Sequence, residues 1–197
     1  MRLRGHEVIV VDGGSTDGTA DLAAPLCDRF LRSEKGRARQ MNAGAALASG
    51  DALVFLHADT RLPPLADRFI FEGLQDSSWG RFDVAIEGST RALKLVACAM
   101  NLRSRLTGIA TGDQAIFVRR DAFGGFPLIP LMEDIAFSRQ MKRRVRPACV
   151  RERVVTSGRR WETHGIVRTI VLMWRLRLLY ALGVGPGRLA RRYADAR

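Results

Sequence analysis

Residues 8–19 read Val8-Ile9-Val10-Val11-Asp12-Gly13-Gly14-Ser15-Thr16-Asp17-Gly18-Thr19, and this run constrains the fold more than any other in the chain. An unbroken β-branched stretch bounded by acidic and glycine residues predicts a buried parallel strand. The glycines then turn the chain into an apolar, alanine-rich segment over 20–26, which predicts a helix. An acidic residue at the carboxyl end of such a strand stands where open α/β sheets bind ligands. Asp12 can accept hydrogen bonds from a nucleobase or ribose, and Gly13-Gly14 leaves room for a ligand to approach. An ordinary strand-to-helix turn uses the same residues, with Ser15, Thr16 or Asp17 as the helix cap and Asp17 suited to its dipole. Both readings stay open on this stretch alone.

The same alternation continues along the first half of the chain. Strands are predicted near 7–11, 28–32, 52–57, 79–87, 114–119 and 147–154. Helices are predicted near 17–26, 37–48, 64–75, 89–106, 133–144, 161–182 and 186–194. Strands alternating with helices imply an α/β fold with a mostly parallel central sheet. At 197 residues the chain suits one domain, 1–197, whose last part (161–197) is a basic helical segment. Formal charge is +12, which predicts anionic partners: nucleotide phosphates, acidic lipid or nucleic acid. Nucleic acid is set aside, because the chain has neither a recognition motif nor basic patches interleaved with aromatics. Cys27, Cys98 and Cys149 lack metal-ligand spacing and read as buried, reduced thiols of a cytoplasmic protein. Met1 to His6 lead straight into a strand, so no signal peptide is predicted. A dinucleotide oxidoreductase is disfavoured, since no Gly-x-Gly-x-x-Gly follows the first strand.

Four segments, in order, carry a resemblance. Asp12-Gly13-Gly14-Ser15-Thr16-Asp17-Gly18-Thr19 resembles the nucleotide-binding signature of family 2 glycosyltransferases, enzymes of the Rossmann-like GT-A fold. Gly36-Arg37-Ala38-Arg39-Gln40-Met41-Asn42-Ala43-Gly44 is similar to that family's basic helix start. Leu53-Val54-Phe55-Leu56-His57-Ala58-Asp59 resembles the strand ending in its Asp-x-Asp metal motif, and Met132-Glu133-Asp134 resembles its Glu-Asp pair. Together they span roughly 7–161. The resemblance implies a nucleotide site at Asp12, Gly14, Asp17, Arg37, Arg39 and Asn42. It also implies a nucleotide-sugar donor, UDP being the family's commonest nucleotide, and an acceptor hydroxyl. Short members of this type are labelled as arsenosugar-biosynthesis glycosyltransferases, although no residue here is specific to arsenic. Family members usually begin one strand and helix earlier. That first strand and helix are therefore expected to be lacking, leaving a neighbouring strand unpaired unless another chain fills the gap.

The chemistry follows the same segments. If the third strand runs to Asp59, period-two geometry puts His57 and Asp59 on one face, where they can grip a divalent cation. A histidine in place of the family's acidic residue favours Mn²⁺ over Mg²⁺, since imidazole suits softer ions. A strand-end histidine bonded to backbone and a capping aspartate explain the same two residues. Lys35, Arg37 and Arg39 at a helix start favour phosphate, and equally fit a solvated basic face. By resemblance Asp134 is the general base of an inverting displacement, with Glu133 beside it. Helix-dipole charge alone accounts for the pair as well. Asp113 and Gln114 are candidate acceptor or sugar contacts, and turn chemistry is their alternative. Ser157-Gly158-Arg159-Arg160-Trp161 resembles part of a motif in processive family members, which implies that Arg159 and Arg160 neutralise a leaving diphosphate and that Trp161 stacks on an acceptor.

Residues 166–182 are apolar but interrupted by Arg168, Arg175 and Arg177, which argues against a spanning helix. A basic amphipathic helix carrying Trp174 and Tyr180 suits an anionic membrane surface on the inner face of the membrane, and packing on the domain explains it equally. The expected function is sugar transfer from a nucleotide-diphosphate sugar. A catalytically silent domain that binds a partner or membrane through its basic helices is the alternative, and a homo-oligomer is compatible with either.

Overall fold

The computed structural model describes residues 4–88 and 90–195. The predicted first strand forms as β1 (Ile9–Asp12) and pairs in parallel with β2 (Arg29–Arg32). Between them, α1 (Thr19–Ala23) ends early and gives way to a 3₁₀ turn over Ala24–Leu26. Pro25 explains this, because it has no N–H to continue an α-helical ladder.

A second sheet of five strands holds β3 (Ala52–Phe55), β4 (Thr60–Arg61), β5 (Trp79–Ile86), β6 (Ile116–Arg119) and β7 (Ala148–Thr156), in the order β3-β6-β5-β7-β4. Only β5–β7 and the separate β1–β2 pair are parallel; β3–β6, β5–β6 and β4–β7 are antiparallel. The sheet is therefore mixed, which corrects the mostly parallel arrangement expected. The apolar runs were read as parallel because both faces are covered, yet burial on two faces does not report strand direction. β6 inserts antiparallel between β3 and β5, and no pattern in its sequence marks that reversal.

Among the described residues, β1 pairs only with β2 and β3 only with β6, so the two sheets share no hydrogen-bonded ladder. Helix α2 (Arg37–Leu47) joins them instead. Gly44 lies so close to β1 that a Cβ there would sit 3.0 Å from Val11. Met41 and Ala45 of the same helix pack into the core around Leu53, Trp79, Phe126 and Phe137. Gln40 Nε2 donates to the Val11 carbonyl at 3.0 Å, a further tie to β1.

Helix α3 (Ala66–Asp76) lies over β5 and β7, burying Ala66 and Ile70 against Phe82, Phe117 and Val154. Helix α4 (Arg91–Thr107) covers β5 through Leu93, Ala97, Asn101 and Ser104, one helical face by spacing. Asn101 meets both polar groups of Val84, accepting from its N–H at 2.9 Å and donating to its carbonyl at 3.0 Å. Asp83 takes both Arg81 and Arg105 as partners in the same layer. Such buried ions are tolerated because they are paired.

Helix α5 (Glu133–Met141) follows a long loop that ends at Met132. The single helix expected over 161–182 is two, α6 (Arg159–His164) and α7 (Ile166–Ala181), divided at Gly165 with φ 82°. Helix α8 (Pro186–Asp195) returns along α7. Leu176 of α7 and Leu189 of α8 bury Met132 and Ile135, so the C-terminal helices pack against the start of α5. No helix among the described residues is long and apolar enough to cross a membrane. Of the cysteines Cys27 is buried, while Cys98 is exposed, against expectation. Cys98 is on α4, whose buried stripe (Leu93, Ala97, Asn101) passes beside it.

Candidate active site

Two loops, 56–59 and 111–114, and the starts of α2 and α5 meet at the candidate site. The chain leaves β3 at Phe55, two residues before the predicted end, and turns through Ala58-Asp59. Strand alternation therefore does not set His57 and Asp59 on a common face, which corrects the geometric argument for pairing them. His57 turns instead toward Asp113, with Nδ1 3.3 Å from Oδ1. Gly112 is packed against the imidazole so closely that a Cβ there would lie 2.5 Å from Nε2. Only glycine admits the ring at that position.

The 3₁₀ turn Gly112–Gln114 is locked by a capping box in which Thr111 and Gln114 satisfy each other's backbone. Gln114 is completely buried, with its amide engaged by Thr111 and Asn101. It belongs to the support beneath the turn and does not face an acceptor, as the sequence reading allowed. Asp113 is 47% exposed at the tip. Partial burial opposes its ionisation. The His57 hydrogen bond and the charges of His57, Arg37 and Arg160 outweigh that, holding the carboxyl below its ordinary range.

The Gly112 N–H donates to Asp134 Oδ2 at 3.0 Å, and the Ile135 N–H to Oδ1 at 2.7 Å. Glu133 stands beside it, nearly fully buried, with Arg37 of α2 3.9 Å from Oε1. Burial pushes the Asp134 carboxyl up in pKa, the two backbone donors pull against it, and Asp113 adds to the rise. Burial also raises Glu133, with the Asp134 charge reinforcing it and Arg37 opposing. Two adjacent carboxyls that hold protons more tightly than usual are the arrangement a proton-accepting site needs. Backbone strain sits at the same place: Met132 (φ 70°) and Ala115 (φ 45°) occupy the left-handed region next to Glu133 and to Gln114.

Arg103 was not anticipated. It is largely buried on α4, its Nε and Nη2 have no hydrogen-bond partner, and its charge faces Asp134. Burial lowers its pKa, which Asp134 counteracts. Its signal in the sequence is faint: polar Asn101 and Ser104 on the buried stripe of α4 flank it on either side.

The remaining candidates divide. Asp12, buried at the end of β1, accepts from Gly14 N–H at 3.1 Å and from the Ser15 hydroxyl at 2.5 Å, so its carboxylate staples its own turn. Those hydrogen bonds, the Ser15 hydroxyl first, hold its pKa below the ordinary value. Gly14 has φ 90° and open space around it. Asp17 accepts from the Thr19 N–H and hydroxyl at the start of α1. Arg39 is drawn to Glu34 at the surface. Asn42 exchanges two hydrogen bonds of 2.8 Å with the backbone of Phe126, which makes it a clamp on the 123–126 loop. On α6, Trp161 packs with Ile86, Leu93 and Ala97 and is partly buried. Arg160 bears on Asp113 and lies 5.3 Å from the Tyr193 ring centroid, whereas Arg159 is exposed.

No group of three or more metal-ligating side chains occurs among the described residues. Asp59 is nevertheless exposed, and among the described residues its side chain receives only a long 3.4 Å contact from the Thr60 hydroxyl. One free carboxylate with His57 nearby in the chain does not build a resident metal cage. It fits a divalent ion that brings most of its oxygen ligands with it, as an ion bound to a diphosphate does.

Residues 3–89 match the model of glycosyl transferase family 2. No curated protein matches the chain. Among solved structures the chain is similar to Staphylococcus aureus TarS 1–349, with 18% identity over 83% of this chain and 54% of that one and a TM-score of 0.57. The TarS complex with UDP-GlcNAc gives 19% identity, 77% and 49% coverage and 0.58. Mycobacterium tuberculosis glucosyl-3-phosphoglycerate synthase with Mn²⁺, UDP and glucosyl-3-phosphoglycerate gives 20% identity, 76% and 59% coverage and 0.54. The chain thus spans about half the length of these proteins. Their likeness shows its fold, the α/β GT-A fold of glycosyltransferases.

Proposed function

We propose that this chain, whose residues 3–89 match the model of glycosyl transferase family 2 and whose fold is GT-A, is an inverting transferase that moves a sugar from a nucleoside diphosphate, UDP by preference, to an acceptor hydroxyl. The observation that carries this reading is Asp134, oriented by the Gly112 and Ile135 N–H groups and raised in proton affinity by burial. Asp134 takes the acceptor proton as the hydroxyl oxygen bonds to the anomeric carbon. The carbon–oxygen bond to the diphosphate breaks on the opposite face, and the electron pair leaves with the phosphate. A single displacement inverts the anomeric centre, in contrast to the two-step covalent route of retaining hydrolases.

Arg37 and Arg160, which converge on Asp113, supply positive charge for the diphosphate. Asp59 would hold a divalent ion there, Mn²⁺ or Mg²⁺, which would neutralise phosphate charge. Glucosyl-3-phosphoglycerate synthase structures contain UDP with either ion, which supports a cation accompanying the nucleotide. The turn 12–17, stapled by Asp12, forms the wall on the nucleotide side, and Gln40 ties it to α2. The acceptor is assigned only as a hydroxyl compound, arsenosugar precursors among them.

A second reading, nucleotide or partner binding without turnover, is favoured by one observation: β1 and β3 are joined through α2 and share no ladder. Calorimetric titration with UDP, with and without Mn²⁺, tests both. Metal-dependent binding that Asp59→Ala abolishes supports transfer and warrants an acceptor screen. A folded chain that ignores UDP under both conditions overturns it.

A further inference from the structure

One face of α7 has no partner among the described residues. Val167, Val171, Trp174, Leu178 and, just past the helix, Leu182 recur at helical spacing and are each 60–74% exposed. The opposite face is the packed one, with Leu172, Met173, Leu176 and Leu179 set against α5 and α8. At 100° per residue the exposed stripe has arginines along both margins, Arg168 and Arg175 on one side and Arg177 on the other. Helix α7 contains no acidic residue, and the adjoining α8 adds exposed Arg188, Arg191 and Arg192.

We propose that this face of α7 seats the protein on an anionic lipid bilayer, with the apolar stripe entering the interface and the marginal arginines meeting headgroup phosphates. Contiguous apolar surface of this kind marks an interaction site. Trp174 within it is suited to the boundary between headgroups and hydrocarbon. Sixteen residues make a helix of about 24 Å, shorter than the roughly 30 Å hydrocarbon core and broken by arginine, so it lies along the surface. Charge selects the occupant. A second copy docked through the same stripe would set arginine against arginine with no acidic group on the helix to relieve it, whereas anionic lipid complements every margin. This surface is independent of the sugar-transfer reading, because none of its residues belongs to the candidate site.

The test is cosedimentation of the full chain with vesicles of phosphatidylcholine alone or mixed in equal parts with phosphatidylglycerol. Binding is expected only to the mixed vesicles, weakening as salt rises. Val171→Ser with Trp174→Ser should abolish it with circular dichroism unchanged. Arg175→Glu with Arg177→Glu should weaken it at least tenfold, as an attraction of about fivefold per basic residue becomes repulsion. Leu95→Ser with Leu102→Ser, which alters exposed leucines on α4, should bind as the parent does. Absent binding, equal binding to neutral vesicles, or equal loss in the α4 variant overturns the proposal. So does a lipid-free dimer that Val171→Ser with Trp174→Ser disperses, since the face then belongs to a second copy.

Discussion

The Gly112 backbone N–H reaches across 22 residues of chain to donate to Asp134 Oδ2 at 3.0 Å. This bond fixes the direction in which the remaining lone pairs of Asp134 point, and it does so from the turn that also presents Asp113. If Asp134 accepts the acceptor proton, Asp134→Asn should keep UDP affinity and lose transfer by about 10²–10⁴-fold, the usual contribution of a positioned base. Initial rates beside a UDP titration check it. Unchanged turnover removes Asp134 from the role.

The raised proton affinities of Glu133 and Asp134, caused in each chiefly by burial, have a consequence for stability. A carboxyl whose folded pKa exceeds its unfolded one favours folding fully below the unfolded value, and that contribution is lost as pH rises through the folded value. The contribution of these two carboxyls to stability should therefore fall as pH rises above about 4, the ordinary carboxylate value. Asp134→Asn should flatten that fall and raise the melting temperature at neutral pH, where each kcal/mol recovered is worth about 2–4 °C in a chain of this size. Melting curves across pH, parent against variant, report it. A variant less stable at neutral pH would contradict a carboxylate kept ionised at a cost.

Arg103, partly buried with two unpartnered nitrogens and its charge coupled to Asp134, is expected to assist the ionised form of that carboxylate as a positioning residue. Arg103→Met removes the attraction without emptying the space. The acid limb of the pH–rate profile should then move to higher pH, because Asp134 would ionise less readily. A profile that stays in place while the melting temperature changes would reduce Arg103 to packing.

Much of this site was legible, and the failures have physical causes. The strand at 9–12 and the helix starts at Arg37 and Glu133 follow from β-branched runs, glycine turns and apolar spacing, signals local in sequence. The antiparallel insertion of β6 between β3 and β5 was not, because strand direction is settled by long-range pairing. His57 was assigned to Asp59 by alternation along a strand that in fact stops at Phe55. Its partner, Asp113, lies far along the chain. Gln114 and Trp161 looked functional from their motif positions, yet both are spent on packing or capping. Arg103 escaped notice since a basic residue on a helix is ordinarily solvated.

Asn42 separates a nucleotide contact from a structural clamp. Its side-chain amide both donates to and accepts from the Phe126 backbone, holding the loop that sets Phe126 against Phe137, with ring centroids 4.5 Å apart. Asn42→Ala strands a buried N–H and carbonyl, at a cost of about 1–3 kcal/mol for each unsatisfied group. The expected result is a clear drop in melting temperature with UDP affinity at low temperature little altered. Loss of UDP binding in a variant that melts like the parent would restore the nucleotide role.

Gly112→Ala probes the contact between the 112–114 turn and His57. The added methyl would lie 2.5 Å from the imidazole Nε2, well inside van der Waals contact, so either the ring or the turn must move. Movement of the ring breaks its 3.3 Å approach to Asp113 and removes the hydrogen bond that keeps that carboxyl ionised. Movement of the turn lengthens the bond from Gly112 to Asp134. Either displacement should lower kcat by on the order of 10²-fold, the scale of a misplacement of about 1 Å, and the His57 ring resonances in the NMR spectrum should move with it. The fold should survive, because the contact involves the far end of a side chain that is 22% exposed, and no core residue. A variant with parental kcat and unmoved His57 ring resonances would show that the turn and His57 do not act on the chemistry together.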